Sequence, residues 1–93
     1  MGLERRIMTE RIHDNAGAGR FELDVGGGIV FANYRRDPGS IVILHVEAPV
    51  PLRGTGAAGR LMEGIVALAE REGRELVPLC SYASAWMRRH RPG

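Results

Sequence analysis

The sequence predicts an α+β domain built on a mixed sheet. Three observations carry that expectation. Short apolar–polar runs separated by glycine and proline turns fill the first half; one long run with three- and four-residue apolar spacing follows; a short apolar run then precedes a second helical segment. Strands joined by short links form an antiparallel meander. A strand reached through a helical crossover lies parallel to the one before it. The predicted order is four strands, helix, strand, helix.

The first strand is read from "RIMTERIHDN", the weakest of the set. "RFELDV" alternates cleanly, with Phe21, Leu23 and Val25 on one face and Arg20, Glu22 and Asp24 on the other, a half-buried strand. Gly26 to Gly28 turn the chain into "IVFANYRR", and "DPGS" places Pro38 and Gly39 in the central positions of a type II turn. "SIVILHVEA" is the most apolar run and reads as the central strand. After Pro51, Ala58, Leu61, Met62, Ile65, Leu68 and Ala69 recur with helical spacing, and Gly73 stands where a left-handed cap ends a helix. "ELVPLC" is the strand parallel to the central one, and Ser81 can cap a last helix with Ala83, Trp86, Met87 and His90 on one side.

A chain of 93 residues makes one domain and buries roughly 60–65% of its unfolded surface, so dimerisation or a ligand would help its stability. No segment approaches a membrane span of ~20 apolar residues, and "MGLERRIMTE" lacks a signal-peptide core. The single Cys80 cannot form an intrachain disulfide, and no metal-type Cys/His spacing is present. A soluble, cytoplasmic monomer or homodimer is expected. All 13 basic residues are arginine and the net charge is +2. So small a charge argues against a dedicated nucleic-acid binder, and "MRRHRPG" reads as a solvated helix end. Guanidinium groups nonetheless suit a bidentate grip on phosphate or carboxylate.

Gly54, Gly56 and Gly59 spell G-x-G-x-x-G, a dinucleotide-binding spacing. The match is coincidental. A dinucleotide fold needs its glycines directly after a strand and an acid at the end of the next one; here Pro49 to Arg53 intervene and the next strand ends in Leu79 and Cys80. Phosphate binding is still favoured over a purely steric role. A helix start offers unpaired N–H groups and a dipole of roughly +0.5 charge, glycines allow close approach, and Arg53 and Arg60 flank the turn.

"RGTGAA" fits R/Q-x-x-G-x-G/A through Arg53, Gly56 and Ala58. With "HVEAPVPLRGTGAAGRLM" and "VPLCSYASAWMRRH" around it, the chain from about residue 20 to 90 resembles the minimal single-domain members of the GNAT superfamily of acyl-CoA-dependent N-acyltransferases. The resemblance implies a GNAT-like sheet lacking the first two helices of larger relatives. It implies that the acetyl-CoA pyrophosphate lies on Arg53, Gly54, Thr55, Gly56, Ala57, Ala58 and Gly59. It further implies that pantetheine enters where two parallel strands splay apart, that a free amide on the central strand polarises the thioester, and that Tyr82 protonates the leaving thiolate. No metal is implied.

His45 and Glu47, two apart on one strand, are expected to share a face with Ile41 and Ile43 and are candidates for base and substrate-orienting residue; a hydrogen-bonded histidine and a solvated strand-end acid are the alternative. Cys80 is either an acyl acceptor or a small buried residue, direct attack being the usual route in the superfamily. Trp86 reads as core. The leading expectation is an N-acetyltransferase acting on an amine, whether a protein lysine, an N-terminus or a small amine; the alternative is a non-catalytic acyl-CoA-binding or regulatory module.

Overall fold

The computed structural model describes residues 12–90. Five strands form one sheet in sequential order: β1 (His13–Asn15), β2 (Arg20–Asp24), β3 (Ile29–Asp37), β4 (Ser40–Glu47) and β5 (Glu75–Pro78). The first four pair antiparallel and β5 runs parallel to β4, the mixed sheet expected. Most of the predicted first strand lies outside the described residues. Helix α1 (Ala57–Glu72) makes the crossover, and α2 (Ser81–His90) follows β5.

Side chains of both helices join one core with the inner face of the sheet. Leu61, Met62 and Ile65 of α1 and Ala83 and Trp86 of α2 pack with Phe21, Val30, Ala32, Ile41 and Ile43. The apolar stripe of α1 begins at Ala57 rather than Ala58, which is only half-buried. Gly73 closes α1 at φ +68°, its N–H and that of Arg74 both reaching Ala69, a left-handed cap that satisfies carbonyls left free by the helix end. A Cβ on Gly59 would stand 3.3 Å from the Trp86 indole nitrogen, so glycine there lets α2 lie close against α1. The outer face carries Arg20, Glu22, Asn33 and Arg35, and no helix among the described residues covers it.

Three local expectations are corrected. The β3–β4 register shifts between Asn33 and Tyr34, whose partners are His45 and Ile43, leaving Leu44 as an extra residue. Such a bulge slips the alternation by one. Val46, not His45, therefore continues the inner face of Ile41 and Ile43 and packs on the core; His45 and Glu47 turn to the outer face. Second, β5 stops at Pro78 instead of Cys80, because the ladder with β4 ends at Ile43–Pro78. Third, the Ala83 N–H donates to Cys80 Sγ at 3.3 Å, so Cys80 caps α2 and Ser81 is its first residue.

Candidate functional site

The parting of β4 and β5 positions everything at the site. The Leu79 N–H donates to the Ile43 carbonyl at 2.9 Å, and beyond that bond the chains diverge: β4 continues to Glu47 while β5 gives way to α2. Parallel strands share evenly spaced, slanted bonds, so the β5-facing edge of β4 past Ile43 is without its ladder partner.

From β4 the chain enters a 3-10 turn over Val50–Leu52 with proline in its first turn. Gly28 makes room for this turn, since a Cβ there would lie 3.3 Å from the Pro49 ring; the β2–β3 turn thus props the loop from behind. Gly54 and Gly56 follow at φ +78° and +89°, left-handed values that favour glycine. Thr55 Oγ1 donates to the Leu52 carbonyl at 2.5 Å and accepts from the Ala57 N–H at 3.3 Å, so its hydroxyl holds the loop to the helix. Gly56, at the N-cap, offers no side-chain acceptor. The first-turn amides of α1 have no intrahelical acceptors and add the positive end of the helix dipole.

A cavity of about 450 Å³ opens here. Val46 and Glu47 of β4 and Ala48 just after it form one wall, Leu52, Arg53, Gly54 and Gly56 the loop side, and Ala57, Ala58 and Gly59 the helix side, with Tyr82 across from them. Tyr82 lies in the first turn of α2, with its hydroxyl 3.9 Å from where a Gly59 Cβ would be. Burial pushes its pKa above the ordinary tyrosine value despite the nearby Arg89, so it holds its proton at neutral pH.

Arg53 folds back onto the end of β4: Nε donates to the Ala48 carbonyl at 3.0 Å and Nη2 lies 3.4 Å from Glu47 Oε2. The other Glu47 oxygen meets His45 Nε2 at 2.8 Å. The hydrogen bond with His45, and secondarily the charge of Arg53, hold the Glu47 carboxyl below the usual carboxylate range. His45, Thr55 and Cys80 do not line the cavity; the rest of the sequence-predicted site residues do.

Sequence reasoning missed Val46, Ala48 and Leu52 as walls. Leu52, a lone apolar residue between Pro51 and Arg53, was a usable signal. Val46 was hidden by the bulge. Among the described residues no group of three or more His, Cys, Asp or Glu side chains could hold a metal ion, and no helix is long and apolar enough to cross a membrane.

The site thus joins an open parallel strand pair, a glycine turn at a helix start and the cavity between them. The family model described as GCN5-related N-acetyl-transferase matches residues 20–92. The chain belongs to that family, and membership points to acyl transfer. No curated protein matches the chain.

Proposed function

We propose that the chain is an acetyl-CoA-dependent N-acetyltransferase that transfers the acetyl group to an amine by direct attack within a ternary complex. The observation that carries this reading is the end of the β4–β5 ladder at Ile43–Pro78, beside a cavity of about 450 Å³ floored by the start of α1. The residues fit the donor. The amides of Gly54, Gly56, Ala58 and Gly59 suit a diphosphate, those of Thr55 and Ala57 being bonded within the loop; Val46, Ala48 and Leu52 suit an apolar arm, and the open edge of β4 supplies a backbone N–H for the thioester oxygen. A single cysteine and this acyl donor fit a cytoplasmic setting, with the chain acting as a monomer or homodimer.

A free lysine, with pKa ~10.4, is neutral in about one part in a few thousand at pH 7, a cost of roughly 4–5 kcal/mol. A base therefore matters, and it is drawn from the His45–Glu47 pair. Tyr82, protonated and lining the cavity, donates to the departing thiolate. A thiol of pKa ~8.5 is already a fair leaving group, so Tyr82→Phe should lower kcat in part while leaving coenzyme A binding intact. Cys80 spends its sulfur on capping α2 and lines no part of the cavity, which favours direct attack over an acyl-cysteine route. The acceptor is a protein lysine, an N-terminus or a small amine.

Calorimetry with coenzyme A followed by thiol release across a panel of amines tests the proposal. Binding with turnover is expected. Binding without turnover on any amine would favour a non-catalytic acyl-CoA-binding module, and no binding would remove both readings.

A further inference from the structure

Exposed apolar side chains are ordinary when scattered singly; here they converge. The large ones among the described residues are Ile29, Leu44, Val50, Leu79 and Tyr82, and all lie toward the Glu47 end of the sheet. Ile29 opens β3 two positions before Phe31, the cross-strand partner of Glu47. Leu44 is the extra residue of the bulge, and Leu79 lies beside it, its N–H bonded to the Ile43 carbonyl. Val50 belongs to the turn after β4, and Tyr82 lines the cavity. The opposite end carries exposed charges instead, on Arg35, Arg71, Glu72 and Glu75.

Leu44 owes its orientation to the strand. It alternates with the core residues Ile41 and Ile43 and so points to the outer face. Leu79, at 62% exposure, and Leu44, at 40%, belong neither to the core nor to the cavity wall. Together they form a lip over which an acceptor from the helix-free side reaches the opening between β4 and β5. Ile29 extends the apolar surface onto β3. From there to Leu79 is two strand spacings, about 10 Å, more than a small amine can cover with apolar contact.

The charges agree. A polyamine or a lysine-rich tail needs unmatched carboxylates, and the carboxylates of this face are already engaged. Arg20 bonds Glu22 at 2.7 Å, while His45 and Arg53 hold Glu47 at 2.8 and 3.4 Å. Asp24, at the end of β2, accepts the Gly26 N–H. Arg53 lines the cavity and Arg89 stands near Tyr82, and the start of α1 adds its positive dipole end. Such a surface suits a partner that is apolar and neutral or acidic.

We propose that the acceptor amine is presented on a polypeptide whose neighbouring side chains are apolar and acidic, and that Leu44 and Leu79 are the specificity-determining residues that receive them. The proposal rests on the acetyltransferase reading and narrows its acceptor, setting small amines and basic tails aside.

The test compares three acceptors by thiol release from acetyl-CoA: a small diamine, a lysine-rich peptide, and a peptide with one lysine flanked by leucine and aspartate. The leucine-flanked peptide should exceed the other two in kcat/KM by about 10–100-fold. Leu44→Ser and Leu79→Ser, both at exposed positions, should each raise KM for that peptide about tenfold. Neither should change kcat, coenzyme A affinity or the rate with the diamine. A diamine or lysine-rich peptide turned over best, with KM for the leucine-flanked peptide indifferent to both substitutions, would overturn the proposal. Peptide binding is read independently of turnover, from the 13C methyl resonances of Leu44 and Leu79. Shifts at these methyls without turnover of any amine would support the docking surface and sink only the acetyltransferase reading. No shift at either methyl would overturn the proposal, and so would shifts produced by raising the protein concentration alone, which would assign the patch to a second copy of the chain.

Discussion

The two ends of the β4–β5 pair are opposite in character. At the Ser40 end, β4 is matched to β5 residue for residue, and the surrounding polar groups are spent on one another. Arg36 bonds Glu72 of α1 and reaches Asp14 at 2.8 Å, Tyr34 donates to Asp14, and Arg74 spans Glu72 and the Asp37 carbonyl. At the Glu47 end the ladder stops, a cavity opens, and the first-turn amides of α1 and the His45–Glu47–Arg53 chain face it or its rim. One strand thus serves both as the centre of the core and as the wall of a site. The bulge at Leu44 and the departure of β5 into α2 separate the two roles. Substitutions at the closed end should therefore act on stability, and those at the open end on binding and rate.

The largest effect should come from the core beneath the closed end. Ile65→Ala removes a fully buried side chain and should cost about 2–5 kcal/mol in urea unfolding, with coenzyme A affinity of the remaining folded fraction unchanged. Next, Gly56→Val forces a side chain into φ +89°. It should cost about 1–3 kcal/mol in the same measurement yet remove detectable coenzyme A binding in calorimetry. If it instead loses stability while retaining binding, the glycine turn is scaffold only. Smallest is Glu72→Gln at the closed end, where a partly exposed pairing should contribute no more than about 1 kcal/mol and binding should be untouched.

Acid acts on paired carboxylates across the whole sheet. Hydrogen bonds from Arg20, Arg35 and Arg36 hold the carboxyls of Glu22, Asp37 and Glu72, respectively, below their ordinary values. Each folded-state pKa is thus lower than the unfolded one. The stability these groups add is complete above about pH 5, clear of the unfolded carboxyl values, and is lost as pH falls from there through the depressed values. The expected outcome is a Tm that is level from about pH 5 to 8 and drops below pH 4.

Most of the architecture could be read from the residues, because alternation in "RFELDV", helical spacing from Leu61 to Ala69 and the glycine stops are local signals of burial and backbone freedom. The glycine turn was readable for the same reason. What escaped depends on pairing between distant segments. Nothing in "SIVILHVEA" marks Leu44 as the residue without a partner, so unbroken alternation predicts the reverse of the faces that His45 and Glu47 take. Hydroxyls are the usual caps and point to Ser81, whereas β5 ends early and brings the sulfur of Cys80 to the Ala83 amide. The ion-pair chain around Arg36 joins residues far apart in sequence, which no spacing rule reports.

The central claim is that amides at the start of α1 hold a diphosphate and direct a thioester into the gap beside β4. It is tested most directly by following backbone amide resonances while coenzyme A is titrated into the wild-type chain. The account predicts the largest shifts at Gly54 to Gly59 and at Val46, with Ser40 to Val42 of the closed end unmoved. Saturable binding that leaves Gly54 to Gly59 unshifted would contradict it.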